Sequence, residues 1–310
     1  MEYVKKIEQN VEKVIIGKNN VVKNILKGIL AGGHILIEDI PGIGKTTLVK
    51  ALAKSLNLSY SRIQFTPDLL PSDILGVSIY NQKEMSFEFR KGPVFANVVL
   101  ADEINRTSPK TQAALLEVME ETQVSEGNKS YLLERPFFVM ATQNPIEYEG
   151  TFNLPEAQLD RFMIRIKMGY PSIQDEMHIL RNTREEIPIE NIGPVASKED
   201  VMMLQRKTRE VKVTEGIYKY IVDIVKETRE SKFFALGASP RASIALMRIS
   251  QASALMQGRN YVIPEDVKEN AGMVLAHRLI LSSYARGQGS SAYEAVQLIV
   301  ASVEPPRMDA

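Results

Sequence analysis

Two short stretches hold residues whose types and spacing can do chemistry. The first is Glu38-Asp-Ile-Pro-Gly-Ile-Gly-Lys-Thr-Thr47. Gly42 and Gly44 allow a backbone curl that aims successive N–H groups at phosphate oxygens. A helix starting there adds the positive end of its dipole. In such a loop Lys45 reaches the β- and γ-phosphates of a nucleotide, and the Thr46 hydroxyl ligates magnesium. Asp39 stands where the strict phosphate-loop pattern has glycine, while Gly42, Gly44, Lys45 and Thr46 keep the rest. The second stretch is Val98-Val-Leu-Ala-Asp102-Glu103, an apolar run ending on two carboxylates. Asp102 suits magnesium held through water. Glu103 suits a base that orients or deprotonates an attacking water, worth roughly 10²–10⁴ in rate. The three histidines, His34, His178 and His277, lie far apart and there is no cysteine. A thiolate zinc site and a disulfide framework are excluded, and a histidine metal site is not expected.

The elements around these stretches have to bring them together. His34–Glu38, Val98–Ala101 and Phe137–Ala141 are short continuous apolar runs. Thr46–Leu56 puts Leu48, Ala51, Leu52 and Leu56 on one helical face. Strands this uniformly apolar are expected where helices cover both faces of a parallel sheet. Ligands of such sheets bind beyond the carboxyl ends of the strands, where both stretches would end. Val11–Ala31 has helical spacing broken at Gly17. Residues 66–97 mix Pro and Gly with alternating Val77, Ile79, Phe87 and Phe89, which predicts an inserted short helix and hairpin. Residues 123–136 predict a second hairpin turning at Gly127-Asn128. A linker is expected over 186–198, with Pro188, Gly193 and Pro194. Beyond it, residues 199–310 show stripes such as Ile217-Tyr220-Ile221-Ile224-Val225 and a helix opened by Pro264. The expected fold class is α/β: a parallel-sheet core over 1–185, then a smaller all-helical domain.

Composition narrows the function classes. Of 310 residues 44% are hydrophobic, enough for one large or two modest cores. The 38 basic and 38 acidic residues balance, which argues against coating nucleic acid. No apolar run approaches the ~18 residues that span a bilayer. Met1–Asn10 is charged and lacks a signal-peptide core. A soluble, cytoplasmic protein with no membrane segment is expected.

Longer segments carry a family resemblance. Ala101-Asp-Glu-Ile-Asn-Arg-Thr-Ser-Pro-Lys-Thr-Gln-Ala-Ala-Leu-Leu-Glu-Val-Met-Glu120, Ala141-Thr-Gln-Asn-Pro145, Leu154-Pro-Glu-Ala-Gln-Leu-Asp-Arg-Phe162 and Gly237-Ala-Ser-Pro-Arg-Ala-Ser243 resemble MoxR-type AAA+ ATPases over nearly the whole chain. The resemblance implies a P-loop NTPase core with a helical lid, binding of ATP and Mg²⁺, ATP hydrolysis, and assembly into a ring, expected to be a hexamer. It implies that Pro41, Gly42, Ile43, Gly44, Lys45, Thr46 and Thr47 form the phosphate loop. Asp39 is similar to what the family has there. The stretch Val14-Ile15-Ile16-Gly17 resembles the adenine-pocket lining, Asn144 the sensor-1 residue, Arg161 the arginine finger and Arg241 sensor 2. The two inserts are similar to two insertions of this clade.

The residues themselves leave alternatives open. Asn144 follows an apolar run and belongs at a strand end near Asp102, or simply in a turn before Pro145. Arg161 is a finger or a surface partner of Asp160, with Arg165 as rival finger. Arg241 follows Ser239-Pro240 at a helix start, where a cation opposes the dipole unless an anion lies opposite.

In the ring that the resemblance implies, Arg161 of one subunit completes the next subunit's site, and Arg241 contacts the same γ-phosphate. The lid is expected to rotate against the core as ATP becomes ADP. The inserts would pass that motion to a protein client through Tyr80, Phe87, Phe89 and Gly127-Asn128-Lys129, with one face of the Phe87/Phe89 strand packed. Family likeness points to von Willebrand factor A domain partners and maturation of metal-dependent enzymes. Three alternatives are a metal-chelatase motor subunit, a nucleic-acid motor or clamp-loading subunit, and a nucleotide switch without turnover. The nucleic-acid reading needs a basic hairpin, yet Lys129 and Arg135 face Glu126 and Glu134 in number. Glu103 and Arg161 argue against the silent switch.

Overall fold

Short apolar runs that alternate with amphipathic helices produce a parallel sheet between helical layers. The computed structural model describes residues 2–38, 40, 42–144, 151–182 and 189–307, with the backbone alone at 2, 178, 179 and 182. Asp39, Pro41, Pro145 and the first part of the expected linker lie outside the described residues.

The chain begins with α1 (Glu2–Glu12) and α2 (Asn19–Ala31), separated at Gly17 as expected. Then come β1 (His34–Glu38), α3 (Lys45–Ser55) and β2 (Tyr60–Gln64). The first insert is α4 (Pro71–Leu75) with the hairpin β3 (Gly76–Asn81) and β4 (Ser86–Lys91). Next are β5 (Val98–Asp102), α5 (Pro109–Glu121) and the second hairpin, β6 (Gln123–Glu126) with β7 (Lys129–Leu132). The core closes with β8 (Phe138–Gln143), α6 (Glu156–Leu159), β9 (Phe162–Ile166) and α7 (Ile173–Asn182). The lid comprises α8 (Lys198–Glu210), α9 (Glu215–Glu230), β10 (Phe234–Leu236), α10 (Pro240–Met256), α11 (Pro264–Leu275), β11 (Ile280–Leu281), α12 (Ser283–Gly287) and α13 (Ala292–Ser302). None of the helices searched is long and apolar enough to cross a membrane.

The five-stranded sheet has the order β2-β5-β8-β1-β9, and its strand pairs are parallel. Ala101 of β5 pairs with Ala141 of β8, which pairs with Leu36 of β1. The carboxyl ends of these three strands therefore lie side by side. Successive strand residues face opposite layers. Ile35, Ile37, Val98 and Leu100 join one apolar cluster, and Leu36, Val99 and Ala101 join the other. Caps fix the helix starts: the Ser108 hydroxyl accepts from the Thr111 N–H before α5, and Ser197 with Asp200 forms a reciprocal cap before α8.

The first cluster does not stop at the lid. It runs from Val4 and Ile25 through the sheet to Leu246, Val274 and Val300. Gln205 also donates to the Ile29 carbonyl, and Lys27 to Asn270. The expected rotation of lid against core thus meets a continuous apolar core. The later part of the linker is docked too, with the Val195 and Ala196 N–H groups donating to the Ser55 carbonyl. The lid is not wholly helical, since β10 and β11 pair as an antiparallel ribbon too short to leave a periodic signal.

Candidate nucleotide site

The turn from β1 into α3 builds the phosphate loop. Gly42 and Gly44 have φ of 83° and 87°, the left-handed region that glycine enters without steric cost. Among the described residues a Cβ on either would meet nothing within 4 Å, so backbone conformation, not packing, calls for glycine. Lys45 and Thr46 follow in the first turn of α3, where helical N–H groups have no intrahelical acceptor. A cavity of about 500 Å³ flanks the loop. Ile15, Ile16 and Lys18 form one wall, Gly42, Ile43, Gly44 and Thr47 another, and Tyr170 and Pro171 a third. Gly17, at φ 71°, is crowded by Asp175, whose Oδ2 would lie 2.2 Å from a Cβ, and it is absent from the described lining of this cavity. Sequence reading missed Lys18, whose buried Nζ donates to the carbonyls of Met168, Gly169 and Tyr170 at 2.8, 2.8 and 2.9 Å. That contact ties two cavity walls together, and nothing local in the sequence signals it.

Across the same edge stand the two carboxylates. Asp102 ends β5 and is buried. Its Oδ1 accepts from the Thr142 hydroxyl at 2.6 Å, and its Oδ2 from Arg62 Nη2 at 2.6 Å. Glu103 has φ 57° and ψ 50°, a left-handed conformation costing on the order of 1 kcal/mol for a residue with a Cβ. Its N–H donates to the Thr142 oxygen at 2.8 Å, which helps hold it there. The Glu103 carboxylate accepts from Gln64 at 2.9 Å and Arg106 at 2.9 Å. Thr142 thus sets the spacing of both acids. Register puts Asp102 two strands from Ile37, roughly 10 Å at ordinary strand spacing. Asn144 lies just past β8 and is buried, with its carbonyl 3.4 Å from Asn105 Nδ2. The site has hard oxygen donors: the Thr46 hydroxyl at the helix start and the Asp102 carboxylate on the strand end. This donor set fits magnesium, which takes one or two protein ligands and completes its shell with phosphates and water.

The arginines divide between two edges. Arg165 approaches Glu38 at 3.4 Å, on the phosphate-loop side. Arg161 and Arg241 lie elsewhere, both paired with Glu120 at 3.1 and 3.2 Å. Glu120 sits beside Met119, whose carbonyl meets His34 at the start of β1. The opposite end of β1 is four residues on, roughly 13 Å away. The Arg161–Arg241 pair therefore occupies the edge opposite this chain's own phosphate loop. Asp160, the partner considered for Arg161, is taken instead by Arg278 at 2.7 Å.

The chain is similar to known proteins over most of its length. Residues 34–164 match the ATPase family associated with various cellular activities (AAA), and residues 226–299 match the AAA lid domain. The chain is 41% identical to the chaperone MoxR1 of Mycobacterium tuberculosis, over 97% of this chain and 81% of that one. It is 52% identical to the uncharacterized protein YeaC of Bacillus subtilis, over 97% of this chain and 94% of that one. It is also 30% identical to protein MoxR of Methylorubrum extorquens, over 89% of this chain and 87% of that one. The crystal structure of a candidate ATPase from Cytophaga hutchinsonii superposes with a TM-score of 0.92 at 42% identity, covering 99% of this chain and 96% of that one.

Proposed function

Since the chain belongs to the MoxR family of AAA+ ATPases, we propose that it hydrolyses ATP in a ring, expected to be a hexamer, and uses the turnover to remodel a protein client. One observation carries this reading. The Gly42–Thr46 turn and the Asp102–Glu103 strand end share one sheet edge, with an open cavity beside the loop.

The base lies in the cavity beside Ile15 and Ile16, and the phosphates rest on the loop. Lys45 contacts the β- and γ-phosphates. Thr46 and Asp102 would hold a magnesium ion, whose charge offsets that of the phosphates. Glu103 takes the proton as a water oxygen bonds to the γ-phosphorus and the bond to the bridging oxygen breaks. ADP and phosphate leave, and the proton passes to phosphate or solvent. Asn144 helps place the water. The arginine edge lies away from this chain's own loop, which supports action in trans: Arg161 and Arg241 of one subunit enter the next subunit's site. The name of MoxR1 supports a chaperone-like role. The client is a partner protein engaged by the inserted hairpins, in keeping with von Willebrand factor A domain partners and metal-cofactor insertion.

Turnover and binding of Glu103→Gln and Lys45→Ala test the site. Glu103→Gln should hold Mg·ATP with parental affinity and turn it over at least about 10²-fold more slowly. Lys45→Ala should lose the nucleotide. Parental turnover in Glu103→Gln, or parental binding in Lys45→Ala, defeats the assignment.

A further inference from the structure

Glu120 lies one residue from the end of α5, and each carboxylate oxygen takes a different cation. Arg161 Nη2 lies 3.1 Å from Oε2, and Arg241 Nη1 lies 3.2 Å from Oε1. The two guanidinium groups come from separate parts of the chain: the turn between α6 and β9, and the first turn of lid helix α10. Neither place favours the arrangement alone. Arg241 opposes the helix dipole, and two cations at one point repel.

The backbones beneath them are pinned independently. Asp160, the residue before Arg161, accepts from the hydroxyl of Ser239, two residues before Arg241, at 2.9 Å. The other oxygen of Asp160 accepts from buried Arg278 at 2.7 Å. Asp160 thus ties the two arms together, and Glu120 ties their tips. Three guanidinium groups against two carboxylates leave this cluster net positive. The two Glu120 pairs are partly exposed and contribute little to stability. Orientation is what the contact supplies.

We propose that Glu120 is a positioning residue of the shared site, holding Arg161 and Arg241 as one preset pair that enters the neighbouring subunit's γ-phosphate region together. The proposal rests on the trans reading given above. Without the carboxylate the cations push apart and both long side chains regain rotamer freedom. The loss then falls on turnover and not on ATP binding by the subunit's own loop.

Rings of Glu120→Gln, Glu120→Asp and the parent are compared for assembly, ATP affinity and turnover, and each variant is mixed with Glu103→Gln subunits. Glu120→Gln should assemble, bind ATP within about twofold of the parent and turn over about tenfold more slowly. Glu120→Asp should fall between them. Mixing Glu120→Gln with Glu103→Gln should raise turnover above either alone, because some seams then join an intact arginine edge to an intact Glu103. Parental turnover in Glu120→Gln, or a loss of ATP affinity as large as its loss of turnover, overturns the proposal. Should Glu120→Gln not assemble, Glu120→Asp decides, and a parental rate there overturns it. Arg161→Ala mixed with Glu103→Gln separates the two ideas. No recovery there removes the trans reading itself. Recovery there, with Glu120→Gln at the parental rate, removes only the role of Glu120.

Discussion

His34 opens β1 with both ring nitrogens engaged by backbone. Nδ1 accepts from the Val139 N–H at 2.9 Å, which leaves the proton on Nε2 to donate to the Met119 carbonyl at 2.9 Å. The ring is therefore neutral. Burial lowers its pKa to about 4 from the ordinary 6.5, the Met119 carbonyl opposes that shift, and the Arg241 charge adds to it. Burial and the adjacent Arg278 push His277 the same way. A histidine lowered on folding takes up its proton more readily when unfolded. Its contribution is present above pH 6.5 and is lost as pH falls towards 4, by as much as about 3 kcal/mol. The urea midpoint should fall more steeply between pH 7 and pH 4 in the parent than in His34→Gln, and parallel profiles would refute this. The sequence shows His34 at a strand start, but its partners are 85 and 105 residues away. A separation of 39 or 40 residues likewise hides Thr142, Arg62 and Gln64 as partners of the two acids. Lys45, Thr46, Asp102 and Glu103 were legible because each sits inside a local pattern that also predicts its element.

At the scale of elements, the first hairpin shows what alternation can and cannot decide. Phe87 and Phe89, two residues apart on β4, face the same side, but the spacing does not say how far along that side the packing extends. In the structure Phe89 stacks on Tyr131 of the second hairpin, with ring centroids 4.3 Å apart, and leans on the second apolar cluster. Phe87, on the same side but nearer the hairpin turn, is 74% exposed beside Tyr80 and Met85. Phe89→Ala should cost on the order of 1–2 kcal/mol in urea unfolding. Phe87→Ala should stay within about 0.5 kcal/mol and keep the basal ATPase. The reverse order of stabilities would refute this packing. Both inserts and the central strands were legible from Pro/Gly punctuation and apolar runs. The edge strands β2 and β9 were not: Tyr60-Ser-Arg-Ile-Gln64 and Phe162-Met-Ile-Arg-Ile166 carry a cation each, as a strand with one free edge can.

Across the whole molecule, lid and sheet share one apolar cluster. Cooperative unfolding of both is expected. Fluorescent probes in α9 and in α3, which share that cluster, should report coincident thermal transitions, and earlier melting of α9 would refute this. The change from apolar runs to helical stripes made the order of sheet core and helical lid region legible. Their fusion was not, because it depends on α2 and α10 meeting in three dimensions.

That fusion constrains how a spent nucleotide can do work. A subunit whose lid and sheet form one stiff tile has little internal slack in which to dissipate a lost phosphate contact. Under the proposed ring reading, a lost phosphate contact would therefore load the seams between subunits, and whole subunits would tilt past one another with the exposed aromatic hairpin carried along.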